Sequence, residues 1–150
     1  MPVGTYKKGH RHFDGVCVFA VTGQGYSLLW HEGDLKGADG DFVRVDWEHG
    51  CVYCPPDMMF HQHFNTSKEP ARYLATAVGG LRYPTMLSQR RSLLGVNGEK
   101  GAVSLSIKEG GDQIEYEDQD PRVHAMWLKD MKANGVPSQM GKYIDEKPFE

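Results

Sequence analysis

Gly50-Cys-Val-Tyr-Cys-Pro-Pro56-Asp-Met-Met-Phe-His61-Gln-His63-Phe-Asn65 is the stretch on which the fold reading turns. Cys51 to Cys54 has the composition of a short strand, and Pro55-Pro56-Asp57 forces a turn, because proline fixes φ and has no amide proton to give a ladder. Met59 to Phe64 then resumes as a strand. His61 and His63 are two residues apart, so on a strand both imidazoles leave the same face. Near the start of the chain His10 and His12 repeat that spacing.

Working outward, Val16 to Thr22 is β-branched and aromatic, and Gly23-Gln24-Gly25 supplies the positive-φ positions of a tight hairpin returning through Tyr26 to His31. Residues 32–41 are rich in glycine and aspartate and read as a surface loop. Phe42 to Trp47 alternates apolar with polar, as a half-buried strand should. With Ala71 to Val78, short strands recur at the spacing of an all-β sandwich or barrel. Beyond Gly80 the pattern loosens. Residues 81–119 read as an irregular arm with strand candidates at 103–107 and 113–117. Asp120-Pro121 then opens a helix over 121–134, with Val123, Met126, Trp127 and Met131 at helical spacing and Asn134-Gly135 ending it. Residues 136–150 read as a loosely held tail.

A chain of 150 residues suits one domain, since a core of that size buries about two-thirds of the unfolded surface. The net charge of −3 offers no positive field for nucleic acid or anionic lipid. No apolar run is long enough to cross a bilayer and no secretory signal opens the chain, so a cytoplasmic location is expected. Cys17, Cys51 and Cys54 are odd in number, and reduced thiols are expected.

The histidine stretches resemble the cupin family. Gly4-Thr-Tyr-Lys-Lys-Gly-His10-Arg-His12 is similar to the opening of the first cupin motif, with Gly23 at its hairpin. Gly50 to Asn65 is similar to the second motif at every spacing, with Met58 where the family has a glycine. The resemblance covers about residues 4–80 and implies an all-β cupin barrel of the double-stranded β-helix type, followed by the arm and a C-terminal helix. It implies a metal site of His10, His12 and His61. The family's usual glutamate ligand has no counterpart: Val16 and Cys17 stand near its position, and Asp14 falls too early. The set resembles that of gentisate-type, diketone-cleaving and thiol dioxygenases, which use Fe(II). The family normally has strands before the first motif, which here begins at Gly4; a longer parent chain, the tail or a partner subunit would supply them.

The physical logic of such a site stands apart from the resemblance. Three neutral imidazoles leave a metal its full charge and open positions for a chelating substrate and O2, and they accept iron, manganese, nickel, copper or zinc. His63 is a fourth ligand, a donor to substrate or a support behind the ligands; Asp14 and Cys17 are further candidates for a fourth ligand. Arg72, with Arg82, Arg90 and Arg91 in the arm, are candidates to clamp an acidic substrate. Phe19, Trp30, Phe60, Phe64 and Tyr73 read as core or cavity wall. His31, His49 and His124 read as surface or capping residues, and Cys51 and Cys54 as core. The expected function is a non-haem Fe(II) dioxygenase cleaving a carbon–carbon bond in a small oxygenated or acidic substrate. Two alternatives stay open: a metal-dependent lyase or isomerase without O2, using His63 or Tyr6 as base, and a non-catalytic small-molecule binder. Barrel edges without their usual strands call for cover, so a homodimer is expected.

Overall fold

The computed structural model describes residues 1–13, 15–33, 42–76 and 102–149. Its strands among the described residues are β1 (Cys17–Thr22), β2 (Gly25–Trp30), β3 (Val43–Trp47), β4 (Val52–Tyr53), β5 (Phe60–Asn65) and β6 (Arg72–Thr76), and the one α-helix among them, α1, is Pro121–Asn134. They form two antiparallel three-stranded sheets, ordered β4-β1-β6 and β3-β2-β5. Among the described residues these sheets do not close into a barrel. Asp14, Arg82, Arg90 and Arg91 lie outside the described residues.

The expected hairpin of β1 with β2 does not form. Both edges of β1 are taken by β4 and β6, and both edges of β2 by β3 and β5. The chain instead passes from one sheet to the other at Gly23, whose φ is 81°. A Cβ there would meet the backbone of Ala71 at 2.9 Å, so only glycine fits this corner.

β2 and β5 are buried along their whole length, because both of their faces are covered. One face carries Tyr26, Leu28, Trp30, Phe60 and Phe64 into a core with Trp127, Met131, Val136 and Met140. Each large side chain removed from water there contributes about 1.5–3 kcal/mol. The other face carries Ser27 and Leu29 beside His63 and His61 and looks toward the second sheet. α1 is started by the Asp120 carboxylate, which accepts from the Arg122 amide at 2.9 Å, and ended by Gly135 in the left-handed region.

The C-terminal segment is not loose: Met140 is fully buried, and the Gln139 amide donates to the Gly4 carbonyl at 2.8 Å. Nor are 103–107 and 113–117 strands. They are 3-10 turns at Ala102–Ser104, Ile107–Glu109 and Tyr116–Asp118, joined by a single Ser106–Gln113 bridge. Gly110 and Gly111 cause this, since they let the chain double back at once. Phe19, expected inside, is 38% exposed on the outer face of β1.

The expectation of reduced thiols also fails, because Cys17 and Cys54 are joined by a disulfide and only Cys51 is free. The register explains it. Val18 pairs with Tyr53 across β1 and β4, which sets Cys17 directly opposite Cys54. Disulfides persist in oxidising surroundings, so the cysteines lend no support to a cytoplasmic location. Among the described residues no helix is long and apolar enough to cross a membrane.

Candidate metal centre

The segment before β1 lies along the free edge of β5, bridged at Tyr6–Phe64 and His10–His61. Reciprocal amide bonds of 3.0 and 2.8 Å tie His10 to His61, and the Met58 amide donates to the His12 carbonyl at 2.9 Å. Arg11, between the two histidines, turns the other way and donates to Asp112 at 3.0 Å. Each residue of the segment is thereby given a side. His10 and His12 join His61 on the face toward the second sheet, and one ring nitrogen from each of the three lies within 4.8 Å of the others.

Hydrogen bonding fixes which nitrogen each imidazole offers. His10 Nδ1 lies 3.1 Å from the Lys8 carbonyl, His12 Nδ1 lies 2.8 Å from that of Phe13, and His61 Nδ1 lies 3.0 Å from that of Met59. A carbonyl only accepts, so in every case Nδ1 carries the proton and Nε2 keeps its lone pair. Backbone carbonyls holding the remote nitrogen are the usual support of metal-binding histidine. The three imidazoles would hold a divalent metal through neutral nitrogen donors, the donor set that suits iron, zinc, copper or nickel.

The electrostatics favour the same state. Burial pushes His10 down to about 4, opposed by the Lys8 carbonyl and helped by the charge of Lys7. Burial and the neighbouring His10 push His61 down to about 3. His63 is driven well below the ordinary imidazole range, first by burial and then by His61 and His10. At neutral pH these rings are uncharged, the form a metal requires.

His63 stands beside the triad rather than in it, its ring centre 5.5 Å from that of His61 and 6.1 Å from that of His10. Its Nδ1 is 2.8 Å from Ser27 Oγ and 2.9 Å from the Tyr53 hydroxyl. Trp47 donates its indole N–H to the same Ser27 Oγ at 3.2 Å. This buried hydroxyl network is absent from a motif reading. Its one sequence signal is Ser27, a small polar residue inside the otherwise apolar run Gly25–Trp30.

The remaining expected site residues are spread out. Tyr6 lies on the opposite face of β5, packed on Phe64 and Trp127, with its hydroxyl 2.9 Å from His124 Nδ1 and accepting from Gln119 at 2.7 Å. Arg72 is exposed and alternates with Tyr73, the residue of β6 that packs on His63 at 5.2 Å between ring centres. Cys17 is committed to its disulfide. His31 and His49 are exposed as expected, but His124 is fully buried, with Nε2 3.1 Å from a Glu146 carboxylate oxygen.

The motif's missing glycine leaves its mark here as well. Met58 is the one non-glycine described residue with positive φ, at 60°. The turn that delivers His61 therefore keeps the left-handed geometry even though methionine pays about 1–2 kcal/mol to adopt it.

No protein-family model matches the chain, and no curated protein matches it. Fold and site by themselves define a β-rich protein of two antiparallel sheets with a histidine triad able to hold a metal ion, an arrangement compatible with a cupin fold.

Proposed function

We propose that this chain is a cupin-type metalloenzyme, a non-haem Fe(II) dioxygenase that cleaves a carbon–carbon bond in a small oxygenated, acidic substrate. One observation carries the reading: among the described residues, the cluster that gathers His10, His12 and His61 contains no carboxylate. Fe(II) held there would bind a chelating anion and O2 side by side. The protein's part is to orient three imidazoles through backbone carbonyls and to keep His10 and His61 neutral by burial. His63, with its Ser27 and Tyr53 partners, can hold or pass a proton at Nδ1 beside the bound substrate.

That network also favours a second reading, a lyase or isomerase in which His63 moves the proton and O2 is not consumed. Turnover under nitrogen separates the two. A homodimer belongs to the proposal, supported by the outer face of the β4-β1-β6 sheet. There Phe19, Val52 and Leu74, paired across the strands, are 38%, 54% and 57% exposed.

The test begins with metal analysis of protein purified without added metal or chelator, beside His61→Ala. Wild type should carry close to one transition metal per chain and the variant almost none. Retention of metal by the variant would end the reading. Fe(II)-loaded protein should then consume O2 with gentisate, salicylate or a β-diketone, and silence across the panel would remove the dioxygenase part.

A further inference from the structure

Between the N-terminal segment and β6 the two sheets part, leaving an open cleft of about 400 Å³ lined by Thr5, Tyr6, Lys7, Ala71, Arg72 and Tyr73 among others. Among the described residues it holds two cationic side chains, Lys7 and Arg72, and the Met1 α-ammonium, which donates to the Ala71 carbonyl at 2.6 Å, and no carboxylate. At its inner wall Lys7 Nζ donates to the Tyr73 hydroxyl at 2.9 Å, and the Tyr73 ring packs on His63. The cleft therefore opens beside the histidine cluster. The position of Lys7 follows from the backbone: its amide donates to the His63 carbonyl at 3.1 Å, and it is turned away from Tyr6, which faces the helix.

The donors of this pair are largely unspent. An ammonium has three protons and Lys7 commits one to a protein acceptor among the described residues; the Tyr73 hydroxyl accepts that bond and keeps its own proton to give. No salt bridge to an acid is formed by Lys7 among the described residues, although Lys8, its neighbour, is paired with Glu115. An ammonium left without a carboxylate, beside a phenol with a proton to give, is half of a charge-assisted pair.

We infer that Lys7 and Tyr73 form a binding site for the carboxylate of a small organic acid in the cleft between the N-terminal segment and β6. A carboxylate suits it better than phosphate. With the Met1 ammonium turned to the Ala71 carbonyl, the ammonium of Lys7 and the hydroxyl of Tyr73 match a single negative charge, whereas phosphate sites draw on a helix N-terminus or a nest of backbone amides, and among the described residues no helix begins at this cleft. Arg72 lies at the rim and supplies longer-range attraction. The carboxylate site stands independently of the metal. Only its role as the second hold on a molecule bound at the histidines rests on the reading above.

The test uses benzoate, benzyl alcohol and inorganic phosphate as probes, titrated into metal-free protein and followed by amide chemical shifts. Benzoate should shift residues around Lys7 and Tyr73 and bind at least tenfold more tightly than benzyl alcohol or phosphate. Lys7→Gln should weaken benzoate at least tenfold and Lys7→Arg should restore most of that loss. Lys7 is exposed, so both variants are expected to fold, and circular dichroism checks this. Equal affinity for benzoate and benzyl alcohol, tighter binding of phosphate, or unchanged benzoate affinity in Lys7→Gln would each overturn the inference. Repeating the titration on His61→Ala separates the two ideas. Metal retained there sinks the metal reading alone, and Lys7-dependent benzoate binding there upholds the cleft whatever the metal does.

Discussion

Lowering the pH on metal-free protein should unfold it through its histidines. His10 and His61 sit at about 4 and about 3 in the folded chain against an ordinary 6.5, and His63 is also pushed well down. The unfolded chain therefore binds more protons than the folded one as pH drops below 6.5, and stability must fall with it. The loss starts at the unfolded value and levels off only below the folded ones. With nearly three protons' difference at pH 5 and about 1.4 kcal/mol per proton per pH unit, the slope approaches about 4 kcal/mol per unit. The loss sums to about 6 kcal/mol by pH 5 and about 10 kcal/mol by pH 4, so a domain in the lower half of the usual range of about 5–15 kcal/mol loses its fold between about pH 5 and pH 4. The carboxylates Glu32 and Asp120, held below their ordinary range by Arg11 and Arg122, do not contribute between pH 6.5 and 5. Urea unfolding of chelator-treated protein at half-unit steps measures the slope, and His61→Ala should lower it by about a third. A midpoint flat between pH 7 and 5, or a slope untouched by His61→Ala, would refute the reasoning.

Further outcomes follow from single contacts. Met58→Gly should be neutral or stabilise by up to about 1 kcal/mol despite losing a half-buried side chain, whereas Met58→Val should cost about 1–2 kcal/mol, since a β-branched residue tolerates φ of 60° least; denaturant midpoints decide it. Tyr53→Phe removes a partner of His63 Nδ1 and should cost about 1 kcal/mol while leaving the metal content unchanged, because His63 stands outside the triad. Leu74→Lys places a charge in the exposed apolar face of the outer sheet and should turn a dimer into a monomer in sedimentation velocity; a wild type already monomeric at tens of micromolar would count against the dimer.

What the sequence made legible was local. Helix α1 lies at 121–134 as read, because Asp120-Pro121 and Asn134-Gly135 are end signals that act within one turn. All six described strands lie within about two residues of their expected positions for the same reason. The spacing of His10 and His12 is local too, but the bridge that brings His61 to them spans 51 residues, and only the resemblance to the cupin motifs pointed to it. The misses were questions of pairing. Whether β1 turns back on β2 or leaves for another sheet depends on which strands occupy its edges, and Gly23-Gln24-Gly25 serves either course. The Cys17–Cys54 bond depends on the β1–β4 register, and an odd cysteine count concealed it. His124 looked isolated in the chain because its partners, Tyr6 and Glu146, come from opposite ends.

β5 has a consequence for how such a protein can diverge. From Phe60 to Asn65 every side chain is buried, three toward the helix side and the histidines toward the other. Mutational drift finds no neutral site along this strand: a change at His61 or His63 damages the site, one at Phe60, Gln62 or Phe64 damages packing, and one at Asn65 breaks its bonds to the Met1, Pro2 and Glu69 carbonyls. β1 and β6 differ, since their outer positions are exposed and are held only by whatever the outer sheet face meets. Ancestry in chains of this kind should therefore persist longest in the six residues Phe-His-Gln-His-Phe-Asn and fade first in the sheet opposite.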